Sequence, residues 1–331
     1  MHLRHFRAAA TALFAAAWFP SVVAACSVCR CGDPTFNALG TDIFTQGQFH
    51  LAVDYEYLEK SQGADAEPHE TAEAVALSSS LGSHPLPHGD EEHGGREELT
   101  ESRMVVTGSY GFTERFQLVG RIPWSRREIQ SSTESNAASG FGDPEIYGIF
   151  RLWSAPWKEG LGRSSWLSLL AGVKTAWGEN DAAEDGERLD EHVQPGTGST
   201  DWFGGLSVVH LLDERSTLYG SVQFRKADRN DHGYLYGDTF LVNLGYEHKL
   251  GERWDAALEF NGRDAGRDEI DADGEEDPDT GGSILFVSPR LLVHLGQNIV
   301  ARLGVQLPVY DHLNGEQEEK SVYNLGVTAT F

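Results

Sequence analysis

The residues best suited to chemistry fall in three clusters. Cys26, Cys29 and Cys31 form C-x-x-C-x-C in CSVCRCGDP and are the chain's only cysteines. Thiols this close can share a local disulfide in an oxidising compartment, or ligate a soft metal such as Cu(I) or zinc. They do not suit c-type haem attachment, which needs Cys-x-x-Cys-His, because Arg30 stands before Cys31 and no His follows Cys29. The second cluster, HPLPHGDEEHGG, holds His84, His88 and His93, with His69 upstream. Imidazoles among carboxylates suit zinc, copper or nickel, and equally describe a solvated acidic loop. The third, DEIDADGEEDPDTGG, places Glu269, Asp271, Asp273 and Gly274 like the first half of a calcium loop. Its twelfth position is Thr280 where a bidentate Glu is needed. The cofactor expectation is therefore none that is firm, with calcium or a transition metal on these loops as the option. No G-x-S-x-G occurs and no nucleophile has a base beside it, so the chain is not read as an enzyme.

The elements that must carry these clusters show one pattern. Segments of about ten residues alternate apolar with polar or small, the period of a strand. Twelve are read: 48–57, 103–112, 115–124, 142–153, 164–177, 200–211, 216–226, 238–249, 253–263, 283–295, 298–309 and 321–331. Short connections, at Thr113–Glu114, Asp213–Glu214, Gly251–Glu252, Gly296–Gln297 and 154–163, alternate with long ones at 58–102, 125–141, 178–199, 227–237, 264–282 and 310–320. An outer-membrane barrel sorts its connections in this way, with short periplasmic turns and long outer loops. The fold expected is an all-β, transmembrane antiparallel β-barrel of about twelve strands with acidic extracellular loops.

The start of the chain agrees. Arg4 and Arg7 precede an apolar run from Ala8 to Phe19 and then small residues, the layout of a signal peptide over residues 1–25. The run is shorter than the roughly 20 residues a spanning helix needs. VAAC also resembles a lipobox, which adds acylation of Cys26 to the uses of the cysteines. Residues 26–47 then form a periplasmic segment and 48–331 the barrel, placed as an integral protein of the outer membrane. With 26 Lys plus Arg against 51 Asp plus Glu, the balance is −25. Nucleic acid is excluded as a partner, since phosphate binding needs a basic surface. Lipid, the barrel assembly machinery and a small solute are the partners expected.

Alternation also assigns faces. In 298–309, Ile299, Ala301, Leu303, Val305, Leu307 and Val309 oppose Asn298, Arg302 and Gln306. Lipid cannot satisfy a charge, so the polar row turns inward. The inward charges expected to line a pore are Asp54, Glu56, Arg121, Arg151, Lys174, Arg225, Glu247, Asp255, Glu259, Arg290 and Arg302, with apolar inward contacts at Val119, Ile149 and Phe203. Trp124, Trp153, Trp177, Trp202 and Trp254 are expected near strand ends, as interfacial girdles require. The last strand, SVYNLGVTATF, ends on Phe331 with apolar residues at every second place before it. That ending resembles the signal read by the assembly machinery. Loops 58–102, 178–199 and 264–282 hold 27 of the 51 acids, which predicts a mouth that concentrates cations.

Three blocks carry a closer resemblance. GFGDPEIYGIFRLW (Gly140 to Trp153), KTAWGEND (Lys174 to Asp181) and PGTGSTDWFGGLS (Pro195 to Ser207) resemble, in order, those of the MetA-pathway of phenol degradation family. The second block departs from the family pattern at Ala176–Trp177. The resemblance spans about 100–331 and implies an outer-membrane barrel of transporter type. The function expected is passive uptake of small solutes, aromatic or hydrophobic ones included. The alternative is a metal-binding or redox-linked surface protein that uses the cysteine and histidine segments.

Overall fold

The computed structural model describes residues 46–62, 97–131, 134–156, 163–270 and 273–331. These form β1 (Phe49–Gln62), β2 (Glu97–Thr113), β3 (Phe116–Gln130), β4 (Ser135–Phe141), β5 (Glu145–Pro156), β6 (Arg163–Lys174), β7 (Ala183–Glu184), β8 (Glu187–Arg188), β9 (Asp201–Leu211), β10 (Ser216–Lys226), β11 (Thr239–Lys249), β12 (Trp254–Ala265), β13 (Gly282–His294), β14 (Ile299–Leu313), β15 (Glu318–Glu319) and β16 (Val322–Thr330). Twelve positions make the wall. β4 and β5 follow one another along β3 and share a position, and β15 and β16 share another along β1. β7 and β8 pair only with each other. The wall closes because β1 pairs with β2 on one edge and β16 on the other, at Phe49↔Tyr110 and Leu51↔Ala329. Every pairing is antiparallel, so the fold is a closed all-β barrel.

Closure leaves no strand edge in lipid, and the side chains follow the same demand. In β1, Leu51, Val53 and Tyr55 face out, while Ala52, Asp54, Glu56, Leu58 and Lys60 are buried. Leu244, Leu303 and Leu325 are each more than half exposed, whereas Glu259 and Gln306 are almost wholly buried. A protein in water would invert this arrangement. The outer face belongs to hydrocarbon.

Several strands are taller than their apolar alternation. On β3 the outward row runs Ile122, Trp124, Arg126, Glu128, so the lipid-facing part ends at Trp124 while pairing continues to Gln130. The segment 125–141, read from sequence as a loop, is therefore mostly a hairpin of upper β3 with β4. Likewise 58–62 and 97–102, assigned to the first long loop, are strand. Spanning hydrocarbon takes about 9–11 tilted residues, and β2 has 17. Polar residues in the extra height end the apolar pattern without ending the hydrogen-bond ladder. Trp124 thus sits mid-strand at the level where lipid gives way to water.

Short connections gather at one end of the barrel and long ones at the other. At the short-turn end the N–H of Phe331 donates to the Phe49 carbonyl at 2.8 Å, and the N–H of Phe49 to the Phe331 carbonyl at 3.1 Å. The two rings lie 6.2 Å apart.

Candidate functional site

The interior is organised by two adjacent rows across neighbouring strands. The upper row is set by register as Arg121↔Glu145↔Lys174↔Asp201, from β3 through β5 and β6 to β9. Its signs alternate, and directly opposed residues on one face lie close enough to interact. Arg121 donates to Glu145 at 2.9 Å, and Lys174 to Asp201 at 2.7 Å. One pair-step lower the row reads Val119↔Tyr147↔Gly172↔Phe203↔Arg225. Val119, Ile149, Leu170 and Phe203 are buried together with Tyr147 against them. Gly172 is what admits Tyr147. A Cβ at Gly172 would meet that of Tyr147 and lie 2.5 Å from the Ile146 carbonyl oxygen. The Tyr147 ring then turns its edge to Phe203, at 5.7 Å.

Arg225 joins the rows. Its guanidinium carbon lies 5.0 Å from the centre of the Phe203 ring, and Nη2 donates to Glu145 at 2.5 Å. The two carboxylate oxygens of Glu145 are thus engaged by arginines from opposite sides, Arg121 and Arg225.

Above this sits the connection 175–200, fixed by one carboxylate. Asp143 Oδ1 accepts the Gly178 N–H at 2.9 Å. Its Oδ2 accepts the Thr197 N–H at 2.6 Å and the Thr197 hydroxyl at 2.7 Å. Lys174 Nζ lies 3.6 Å from the same oxygen and also bonds Thr197 and, at 3.1 Å, Ser199. Gly178 and Gly196 pack so closely here that a Cβ on either would lie 2.8 Å or less from backbone. The three sequence blocks singled out by resemblance therefore converge on one cluster. Reasoning from sequence named Lys174 but missed Asp143, Glu145, Thr197, Ser199 and Asp201. The visible sign was a short polar residue beside glycine in each of the outer blocks.

The remaining charged positions expected to face inward lie on the inward rows of their strands. Asp54 accepts from Arg302 at 2.7 Å, and Arg103 donates to Glu56 through Nε at 2.7 Å. Glu259 lies 3.1 Å from Arg290 and accepts the Tyr219 hydroxyl at 2.5 Å. Asp255 lies 2.7 Å from the His294 ring. Arg151 donates to the Glu114 carbonyl at 2.8 Å and covers the Trp166 ring. Glu247 is half-buried on β11. On the strands that continue the wall from β9, a neutral chain runs Ser221, Asn243, Asn261, Ser288 across β10 to β13, linked by amide and hydroxyl bonds.

Of the metal candidates, Cys26, Cys29, Cys31, His84, His88, His93 and Asp271 lie outside the described residues. Asp273 is exposed. Glu269 is paired with Arg229, and its backbone bridges Leu235 and Glu276. Thr280 is fully buried, accepting the Asp268 N–H and donating to the Asp277 carbonyl. The calcium reading put Glu269 at the first ligand position and found Thr280 in place of the twelfth; the structure uses both to fold the loop. Among the described residues no group of three or more His, Cys, Asp or Glu is arranged to hold a metal ion.

Three long connections meet at His192. Its Nδ1 lies 2.7 Å from Asp190 Oδ1 and its Nε2 3.4 Å from the Tyr234 hydroxyl. Tyr234 donates to Asp268 at 2.5 Å, and Asp268 also accepts the Gly237 N–H at 2.8 Å. Burial raises the Asp268 carboxyl to about 6, against the lowering effect of the Tyr234 bond. Burial works against a charged His192, but the bond to Asp190 and its charge, with Asp268 and Asp277 behind, raise its pKa overall. Both groups hold a proton more tightly with the loops joined than apart. Their contribution is full below the ordinary carboxylate range and is lost as pH rises through about 6 for Asp268. For His192 the loss comes above its ordinary value. Protease cleavage within 175–200, corrected for cleavage of a denatured control, is expected to be at least ten-fold faster at pH 8 than at pH 5. Asp268→Asn should reduce the ratio of the two rates, leaving the part that His192 carries. Equal protection at both pH values would show that the junction does not titrate.

A likeness to solved structures accompanies this geometry. An outer-membrane channel from Pseudomonas putida F1 aligns with a TM-score of 0.65 at 12% identity, covering 91% of this chain and 100% of that one. A monoaromatic hydrocarbon channel, CymD, aligns at 0.45 and 9% identity over 93% of this chain and 95% of its own. A Pseudomonas aeruginosa FadL homologue aligns at 0.44 and 13% identity over 92% and 96%. The first of these establishes the fold as that of an outer-membrane β-barrel. No curated protein matches the chain in sequence. The family model described as "Putative MetA-pathway of phenol degradation" matches residues 100–311, which include all three blocks around Asp143, and the chain belongs to that family.

Proposed function

We propose that the protein is a passive channel of the outer membrane for small solutes, with the solute passing between the apolar patch and the amide chain. The observation that carries this is the inverted barrel, apolar on its lipid-facing band and rich in buried charged and polar side chains inside, with a connection folded into one end. The long loops then face the medium and the short turns the periplasm. The eleven inward charges line the path, and their pairing keeps any one of them from binding a solute too tightly to release it. An acidic recess between the β3–β4 and β7–β8 hairpins, lined by Glu134, Glu184, Asp185, Glu187 and Asp190, gives the outer mouth a negative potential. Passage of aromatic solutes is supported by the patch of Val119, Ile149, Leu170 and Phe203 and by the family. Lipid surrounds the wall, and Phe331 at the seam is the handle for the assembly machinery.

Purified protein in planar bilayers is expected to give discrete conductance steps that favour cations at low salt and lose that preference at high salt, as the acids are screened. Conductance should rise when residues 180–195 are shortened to a turn. A barrel that gives no steps in either form, while the full chain takes up zinc or copper, would overturn the channel and support the metal-linked alternative.

A further inference from the structure

Between the upper charged row and β2 lies a cavity of about 60 Å³, lined by Arg103, Arg121, Lys174 and Arg225 together with Asp143 and Glu145. Four cations thus face it against two acids. The two acids that balance the set stand off the cavity, Glu56 beside Arg103 and Asp201 beside Lys174. Arg225 is only 7% exposed, yet its hydrogen bonding is incomplete. Its Nε is buried with no partner among the described residues. Its Nη1 stands 4.0 Å from Asp201, beyond hydrogen-bond reach. A buried guanidinium left short of acceptors carries a desolvation cost that an added acceptor would remove. Its face is already fixed on Phe203, the geometry that orients a fork for a planar, two-oxygen ligand.

From these observations we infer that this cavity, charged on one side and apolar at Val105 and Pro123, forms a subsite for a small monocarboxylate with an apolar body. The carboxylate takes the cavity, which has room for a group of that size among its four cations. The body lies on Val105 and Pro123, which line the cavity, and reaches toward Tyr147 one pair-step below. Glu145 prevents over-tight capture, because it competes for Arg121 and Arg225 and repels the bound anion. The acids of the outer mouth do not forbid entry, since their field fades over about 8 Å at physiological salt. This inference deepens the channel proposal by naming a solute class.

The test titrates sodium benzoate, benzamide and sodium acetate into the full-length barrel in detergent, following heat of binding. Benzamide keeps the ring without the charge, and acetate keeps the charge without the ring. Benzoate is expected to bind at least ten-fold more tightly than either. Arg225→Gln should abolish that difference. Because Arg225→Gln also removes a partner of Glu145, Arg225→Lys is read beside it. Lysine keeps the charge but not the fork, and should weaken benzoate about five-fold or more without changing benzamide. Equal affinities for benzoate and benzamide, or benzoate affinity unchanged in Arg225→Lys, would overturn the subsite. A barrel that binds benzoate in this pattern but never conducts would support the subsite and overturn the channel.

Discussion

Asp143→Ala is expected to release the connection 175–200 from the barrel while leaving the wall assembled. Asp143 is the sole acceptor shown for the Gly178 and Thr197 N–H groups. Each buried N–H left unpaired costs on the order of 1–3 kcal/mol, and bonds to a charged acceptor are the stronger kind. The Thr197 hydroxyl loses the same acceptor. Lys174 is not orphaned, because Asp201 remains 2.7 Å away. The loss, roughly 3–5 kcal/mol on these figures, therefore falls on the connection and not on the charge row. Other tethers persist, among them Lys174 to Thr197 and Ser199, Arg127 to the His192 carbonyl, Asn230 to the Thr197 carbonyl and the Glu179 N–H to the Phe141 carbonyl, but none of them accepts the Gly178 and Thr197 N–H groups. Asp143→Asn should fail nearly as badly, since one amide oxygen cannot serve donors on both sides and the amide N–H₂ faces a donor. Protease cleavage within 175–200 should rise by two orders of magnitude, with the heat-modifiable gel shift of the folded barrel retained. A connection as resistant as in the parent would remove Asp143 from this role.

The contrast between what was and was not legible in sequence has a physical basis. Alternation reports the environment of a side chain, so it marks where a strand meets lipid. It was sound over β10, read as 216–226 and formed as Ser216–Lys226. It stopped at Trp124 on β3 because Arg126 and Glu128 face water there, although the ladder runs on to Gln130. Strand length above the membrane is set by backbone pairing, and pairing leaves no period in the sequence when both faces are polar. The rows of inward charge were legible for the same reason that the lipid face was. Their partners were not. Arg225 meets Glu145 across two intervening strands, 80 residues away in sequence. Asp143 illustrates the harder limit. In G-D-P it reads as the start of a strand, and only the chain's path brings positions 178 and 197 to it.

The second large effect is expected where the barrel closes. β16 pairs with β1 only as high as Tyr57↔Tyr323, and β15 takes over at Lys60↔Glu319. Glu319 stands there between two cations, 3.3 Å from Lys60 Nζ and in direct contact with Arg263, which reaches it from β12. All three side chains are nine-tenths or more buried. Attraction within such a triad roughly offsets the cost of drying its members, so the triad adds little stability over an apolar equivalent. Removing Glu319 is different, because it takes away an anion that two buried cations share. Glu319→Gln should therefore cost about 3–5 kcal/mol, read as a lower temperature for conversion of the folded gel band to the unfolded one. Lys60→Met alone should cost far less, since the Arg263–Glu319 pair survives it. Adding Lys60→Met to Glu319→Gln should recover part of the loss, because it removes one of the two cations that Glu319 had served. The measurement is a double-mutant cycle, and its content is the sign of the coupling. Additive losses would mean that the two cations do not sense each other through Glu319, and the upper seam would then be held by the β1–β15 backbone bonds alone.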